Sequence, residues 1–81
     1  MATYMDVHTI EGVTTEAAAK AHQADLDTQD KYGANFMRYW VNEEAGKVFC
    51  LIDAPSAEAA IAVHQEAHGL LADDVFLVSE G

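Results

Sequence analysis

Positive charge is scarce in this chain: four Lys and Arg stand against 14 Asp and Glu, a formal net charge of −10. A surface of that sign repels a phosphate backbone, so neither nucleic acid nor an anionic membrane is an expected partner. Long apolar runs are missing too, and nothing approaches the roughly 18 uninterrupted apolar residues of a membrane span. One cysteine leaves no intrachain disulfide. The opening MATYMDVHTI has neither the basic region nor the apolar stretch of an export leader, so a cytoplasmic location is expected. A single proline rules out a linker-like composition, and no G-x-S-x-G, Walker, C-x-x-C or H-E-x-x-H motif occurs.

What remains is a chain of 81 residues, 51% of them hydrophobic, which fits one compact domain over 1–81. A domain so small buries only about 60–65% of the surface of its unfolded chain.

Residues 3–10, TYMDVHTI, predict a strand with Met5 and Val7 on one face and Tyr4, Asp6, His8 and Ile10 on the other. After EGVTT, Thr14 or Thr15 can cap an alanine-rich helix that runs on to Gly33. The runs FMRYWV and VFCLID, joined by the glycine-containing turn NEEAGK, read as a hairpin. Pro55 ends it, and Ser56 can cap a second helix whose Ala57, Ala60, Ile61, His64, Ala67, His68 and Leu71 fall on one stripe. A last strand, DVFLVS, completes the order βαββαβ. The expected fold is α+β and ferredoxin-like, a four-stranded antiparallel sheet with both helices on one face. The other face then needs a cover, and a second copy of the chain, giving a dimer, is the natural one.

All the conspicuous chemistry lies in imidazoles and carboxylates. His64 and His68 are separated by i, i+4, close enough on one helix face to chelate an ion, or to act as two polar residues hydrogen-bonded across the core. His22, with Asp25 following it on the same side of the first helix, can approach them, or else sits at the surface with Asp25 as a weak partner. Asp6 and His8 share a strand face. If Met5 and Val7 face the helices, that pair points at the open side of the sheet, toward a dimer mate or solvent. Cys50 lies inside VFCLI as a small core residue or a soft ligand. Glu66 can add an oxygen near the end of the second helix.

The segments DVH, AHQADLDTQDKYG, YWVNEEAGKVFCLIDAP, EAA and VHQEAHGL occur in an order that resembles DUF4242, a family of small bacterial ferredoxin-like proteins that includes a streptomycete nickel-binding protein. The resemblance spans nearly the whole chain and is most specific around Trp40–Pro55 and in V-H-x-E-A-H-G-L. It implies a ferredoxin-like homodimer that binds nickel near the dimer surface, with no established reaction.

The expected function is therefore binding of Ni2+, with Cu2+ and Zn2+ as chemically close competitors, in order to sequester or buffer the metal. The candidate ligands are His8, His22, His64 and His68, with Asp6, Asp25, Glu66 and Cys50. An alternative is a small dimeric ferredoxin-like enzyme, monooxygenase- or isomerase-like, with His22, His64 or Tyr39 as acid or base in a pocket between sheet and helices. A deep apolar pocket holding a histidine would favour the enzyme, and histidines clustered at the surface would favour metal binding. A third reading is an interaction module whose histidines tune dimerisation with pH.

Overall fold

The computed structural model describes all 81 residues. Its elements are β1 (Ala2–Thr9), α1 (Thr15–Thr28), β2 (Asn35–Asn42), β3 (Lys47–Ala54), α2 (Ala57–Ala67) and β4 (Asp74–Val78). The strands form one antiparallel sheet in the order β2-β3-β1-β4, the ferredoxin-like arrangement expected from the sequence. No helix is long and apolar enough to cross a membrane.

Both helices start where their side chains satisfy free backbone N–H groups. The Thr14 hydroxyl accepts from the Ala17 N–H at 3.0 Å, and the Ser56 hydroxyl accepts from the Ala59 N–H at 3.2 Å. α1 does not continue regularly to Gly33. Its last turn tightens into a 3-10 helix over Gln29–Tyr32, and Gly33 then takes the left-handed conformation, φ 68°. The Gln29 side chain accepts from the Phe36 N–H at 2.7 Å, tying this turn to the start of β2.

α2 also ends earlier than its apolar stripe suggests. It stops at Ala67, with His68 as its cap and Gly69 at φ 74°, so Leu71 lies beyond it and is exposed. Its buried face is Ala60, Val63 and His64, while Ile61 looks outward. The buried stripe is rotated toward Val63, which is fully buried although it lies outside the stripe expected from the sequence.

Strand register decides which side chains meet the helices. Tyr4 pairs with Ile52, Asp6 with Cys50 and His8 with Val48, and this row lies under α1 and α2 with Phe36. Met5, Val7, Phe49, Leu51, Trp40 and Phe76 occupy the opposite face. This corrects the conditional assignment of Asp6 and His8 to the open side of the sheet. The alternation along β1 holds, but Met5 and Val7 are the residues turned away from the helices.

Candidate metal centre

His64 is the hub of a polar cluster inside an otherwise apolar core. α2 brings it over the sheet, where its Nε2–H donates to Asp6 Oδ2 at 2.7 Å. α1 supplies Asp25, whose Oδ1 accepts from His64 Nδ1–H at 2.9 Å. Asp6, Asp25 and His64 are each no more than 2% exposed. Buried carboxylates survive only with partners, and here one imidazole serves two of them.

The electrostatics follow from this arrangement. Burial works against a charged His64 ring, but the hydrogen bonds and charges of Asp25 and Asp6 outweigh it and raise its pKa to about 9. Asp6 is likewise opposed by burial, yet its pairing with His64 and His8 lowers it to about 2. Asp25 is held below its ordinary value, also against burial, by hydrogen bonds from His64 and His68. The metal-free cluster is therefore a buried imidazolium between two carboxylates.

His68 completes the constellation from the end of α2. Gly69 turns the chain so that the Leu70 N–H donates to His68 Nδ1 at 3.0 Å, which leaves Nε2 facing Asp25 Oδ1 at 3.0 Å. His68 Nε2 also lies 3.1 Å from His64 Nδ1. Asp25 Oδ1, His64 Nδ1 and His68 Nε2 thus mark a nearly equilateral triangle with sides of 2.9, 3.0 and 3.1 Å.

A second group of ligand-type atoms lies on the sheet side of His64, from Asp6, His8, Cys50 and His64. His8 Nε2 sits 3.2 Å from Asp6 Oδ1, an ion-pair distance without hydrogen-bond alignment. Cys50 is buried, and burial together with the neighbouring Asp6 carboxylate pushes its thiol well above the usual range.

The remaining sequence candidates lie at other positions. His22 is half-buried on α1, with its ring centroid 4.5 Å from that of Tyr39. Asp25, offered as a weak surface partner of His22, is instead a buried member of the cluster. Glu66 points away from the cluster, accepting from Lys31 Nζ at 2.8 Å and from the Tyr32 hydroxyl at 2.9 Å at the surface. The histidines do not gather on the surface, the arrangement expected for metal binding; they are drawn into a pocket, and the metal reading stands instead on the spacing of their ligand atoms. His8, His22, His64 and His68 line a cavity of about 180 Å³ between α1 and the sheet.

Comparison with known proteins sets this geometry in context. A family model described as nickel responsive protein SCO4226-like matches residues 4–78. The chain belongs to the SCO4226-like family. The crystal structure of SCO4226 from Streptomyces coelicolor A3(2) is similar to it at 37% identity and a TM-score of 0.92, over 99% of either chain. Among curated proteins none matches. In this SCO4226-like chain, what sequence reasoning missed is the double role of His64. The i, i+4 spacing marked it as a partner of His68, but only the crossing of α2 over β1 reveals that its second nitrogen meets Asp6.

Proposed function

We propose that the protein binds a divalent transition metal, nickel by its family, through Asp25, His64 and His68, with Asp6 orienting the His64 ring. The observation that carries this reading is the triangle of Asp25 Oδ1, His64 Nδ1 and His68 Nε2, with sides of 2.9–3.1 Å. Ligand atoms about 2.1 Å from an ion at right angles to one another lie about 3 Å apart, the edge of an octahedral face. Protons fill such a triangle poorly, since two N–H groups facing one carboxylate oxygen ordinarily spread apart, whereas one cation satisfies all three atoms.

The surroundings support the same reading. A metal-ligating imidazole typically donates its other N–H to a carboxylate, and His64 Nε2–H already does so to Asp6. Imidazole with carboxylate suits nickel, copper and zinc. The sheet-side group that includes Cys50 is the weaker candidate, because the Asp25, His64 and His68 atoms have the tight mutual spacing of an octahedral face and His64 Nε2 is already committed to Asp6. A metal would displace the Nδ1 proton of His64, so binding would release protons and tighten as pH rises.

In this reading the protein sequesters or buffers nickel in the cytoplasm, and it does so as a homodimer. The apolar open face, with Trp40 46% and Phe76 52% exposed, supports a second copy as its cover. The test is calorimetric titration of chelator-treated protein with nickel, with copper and zinc alongside. Saturable binding at whole-number stoichiometry is expected, weakened by about tenfold or more in His68→Ala and Asp25→Asn. Unchanged nickel affinity in both variants would refute the ligand assignment.

A further inference from the structure

The cavity between α1 and the sheet has a chemistry of its own. Its walls are mainly Ile10, Val13, Ala18, Ala21, Val48 and Leu70, and its volume is about 180 Å³. An apolar protein cavity of roughly 150 Å³ is already large enough to take up benzene. The rim is held by the hairpin turn, where the Ile10 N–H donates to the Gly46 carbonyl at 2.8 Å. Gly46 has φ 67°, and a Cβ there would lie 3.2 Å from the Ile10 oxygen, so this close approach requires glycine.

Two polar atoms set this cavity apart from a simple packing fault. His8 and His22 both line it, and in each the Nδ1 is buried with no hydrogen-bond partner in the chain. His8 is only 3% exposed. Its Nε2 faces the Asp6 carboxylate, which can only accept, so the Nε2–H tautomer suits that side and leaves Nδ1 as an acceptor without a donor. A buried acceptor without a donor costs free energy that a ligand hydroxyl would recover. The His22 ring, packed against Tyr39, adds a flat aromatic wall.

We infer that this cavity is a binding site for a small single-ring molecule carrying a hydroxyl group, a phenol or cyclic enol, whose O–H donates to His8 Nδ1. The ring would fill the apolar volume, and the hydroxyl would supply the missing donor. Asp25, His64 and His68 line one side of the same cavity, but this inference does not rest on the metal reading, because it requires no ion and uses His8 Nδ1, which lies outside the triangle.

The probes are phenol and its near-isostere toluene, titrated into chelator-treated full-length protein and followed by amide NMR shifts and calorimetry. Phenol is expected to bind once per chain, about tenfold more tightly than toluene, the worth of one hydrogen bond to a buried acceptor. The shifts should centre on Val13, Ala18, Ala21 and Val48. Ala21→Phe, which fills the cavity, should abolish binding of both probes, and His8→Leu should bring phenol down to the level of toluene. If His8→Leu fails to fold, the comparison of the two probes on the wild-type chain decides alone. Equal affinity for both probes, absence of binding, or shifts centred elsewhere would overturn the proposal. Nickel titration of the same samples separates the two readings, since loss of one leaves the other intact.

Discussion

The two faces of the sheet depart from the usual distribution of polarity in opposite ways, a polar cluster set into the apolar core on one side and uncovered apolar groups on the other. Under the helices, where an apolar core is expected, Asp6, His8, Asp25 and His64 are buried. On the open side stand Met5, Val7, Trp40, Phe49, Leu51 and Phe76. Charged groups enter the core here because each finds a partner there, and apolar groups remain outside because this chain alone has nothing to lay over them. The helix side therefore carries the chemistry, and the open side carries the case for association.

The strongest way to break this contrast is His64→Ala, which leaves Asp6 with only His8 and Asp25 with only His68 beside it. Destabilisation of about 3–5 kcal/mol is expected, read from urea unfolding of the metal-free protein. A cost below about 1 kcal/mol would mean that Asp6 and Asp25 find other partners or water.

Next in size is the pH dependence of the metal-free protein. His64 has its pKa raised from 6.5 to about 9, so its contribution is complete below pH 6.5 and is lost as pH rises through about 9. Asp6 is lowered from 3.8 to about 2, so its contribution is complete above pH 3.8 and is lost as pH falls through about 2. Stability should form a plateau between about pH 4 and 6.5 and fall by roughly 2 kcal/mol on the acid side and roughly 3 kcal/mol on the alkaline side. Unfolding midpoints measured across this range check it, and a curve flat from pH 6.5 to 9 would contradict the buried imidazolium.

The open face is sharpened by Trp40→Lys. A charge on the edge strand β2 at this apolar face should weaken self-association about tenfold or more by analytical ultracentrifugation, while nickel affinity per chain stays the same. A change in nickel affinity would mean that the two faces are coupled. The smallest effect is expected from Glu66→Gln, which removes only a surface contact with Lys31 and Tyr32. Nickel affinity should not move, and a loss would restore Glu66 as a ligand.

Much of this molecule was legible in its residues. The caps at Thr14 and Ser56, the hairpin and the βαββαβ order follow from local rules of capping and periodicity, which act within a few residues. The i, i+4 pair on α2 likewise announced that His64 and His68 would be neighbours. The end of α2 was less clear, because Leu70 and Leu71 extend the apolar pattern past Gly69, whose left-handed backbone stops the helix.

The face of β1 was not legible locally. Alternation separates Asp6 and His8 from Met5 and Val7 but does not say which pair turns inward. By hydrophobicity alone Met5 and Val7 have the better claim, and that ranking fails because Asp6 and His8 are buried as partners of a residue 58 positions from Asp6.

The sequence by itself determined the elements, their order, the acidic surface and the supply of imidazoles, because these depend on composition and on neighbours a few residues apart. Only the tertiary structure decided that α2 crosses β1 with His64 above Asp6, that Asp25 arrives from α1, and that Glu66 is left at the surface. Contacts between distant segments are set by how helices pack on a twisted sheet, where a shift of one residue turns a ligand into a surface side chain.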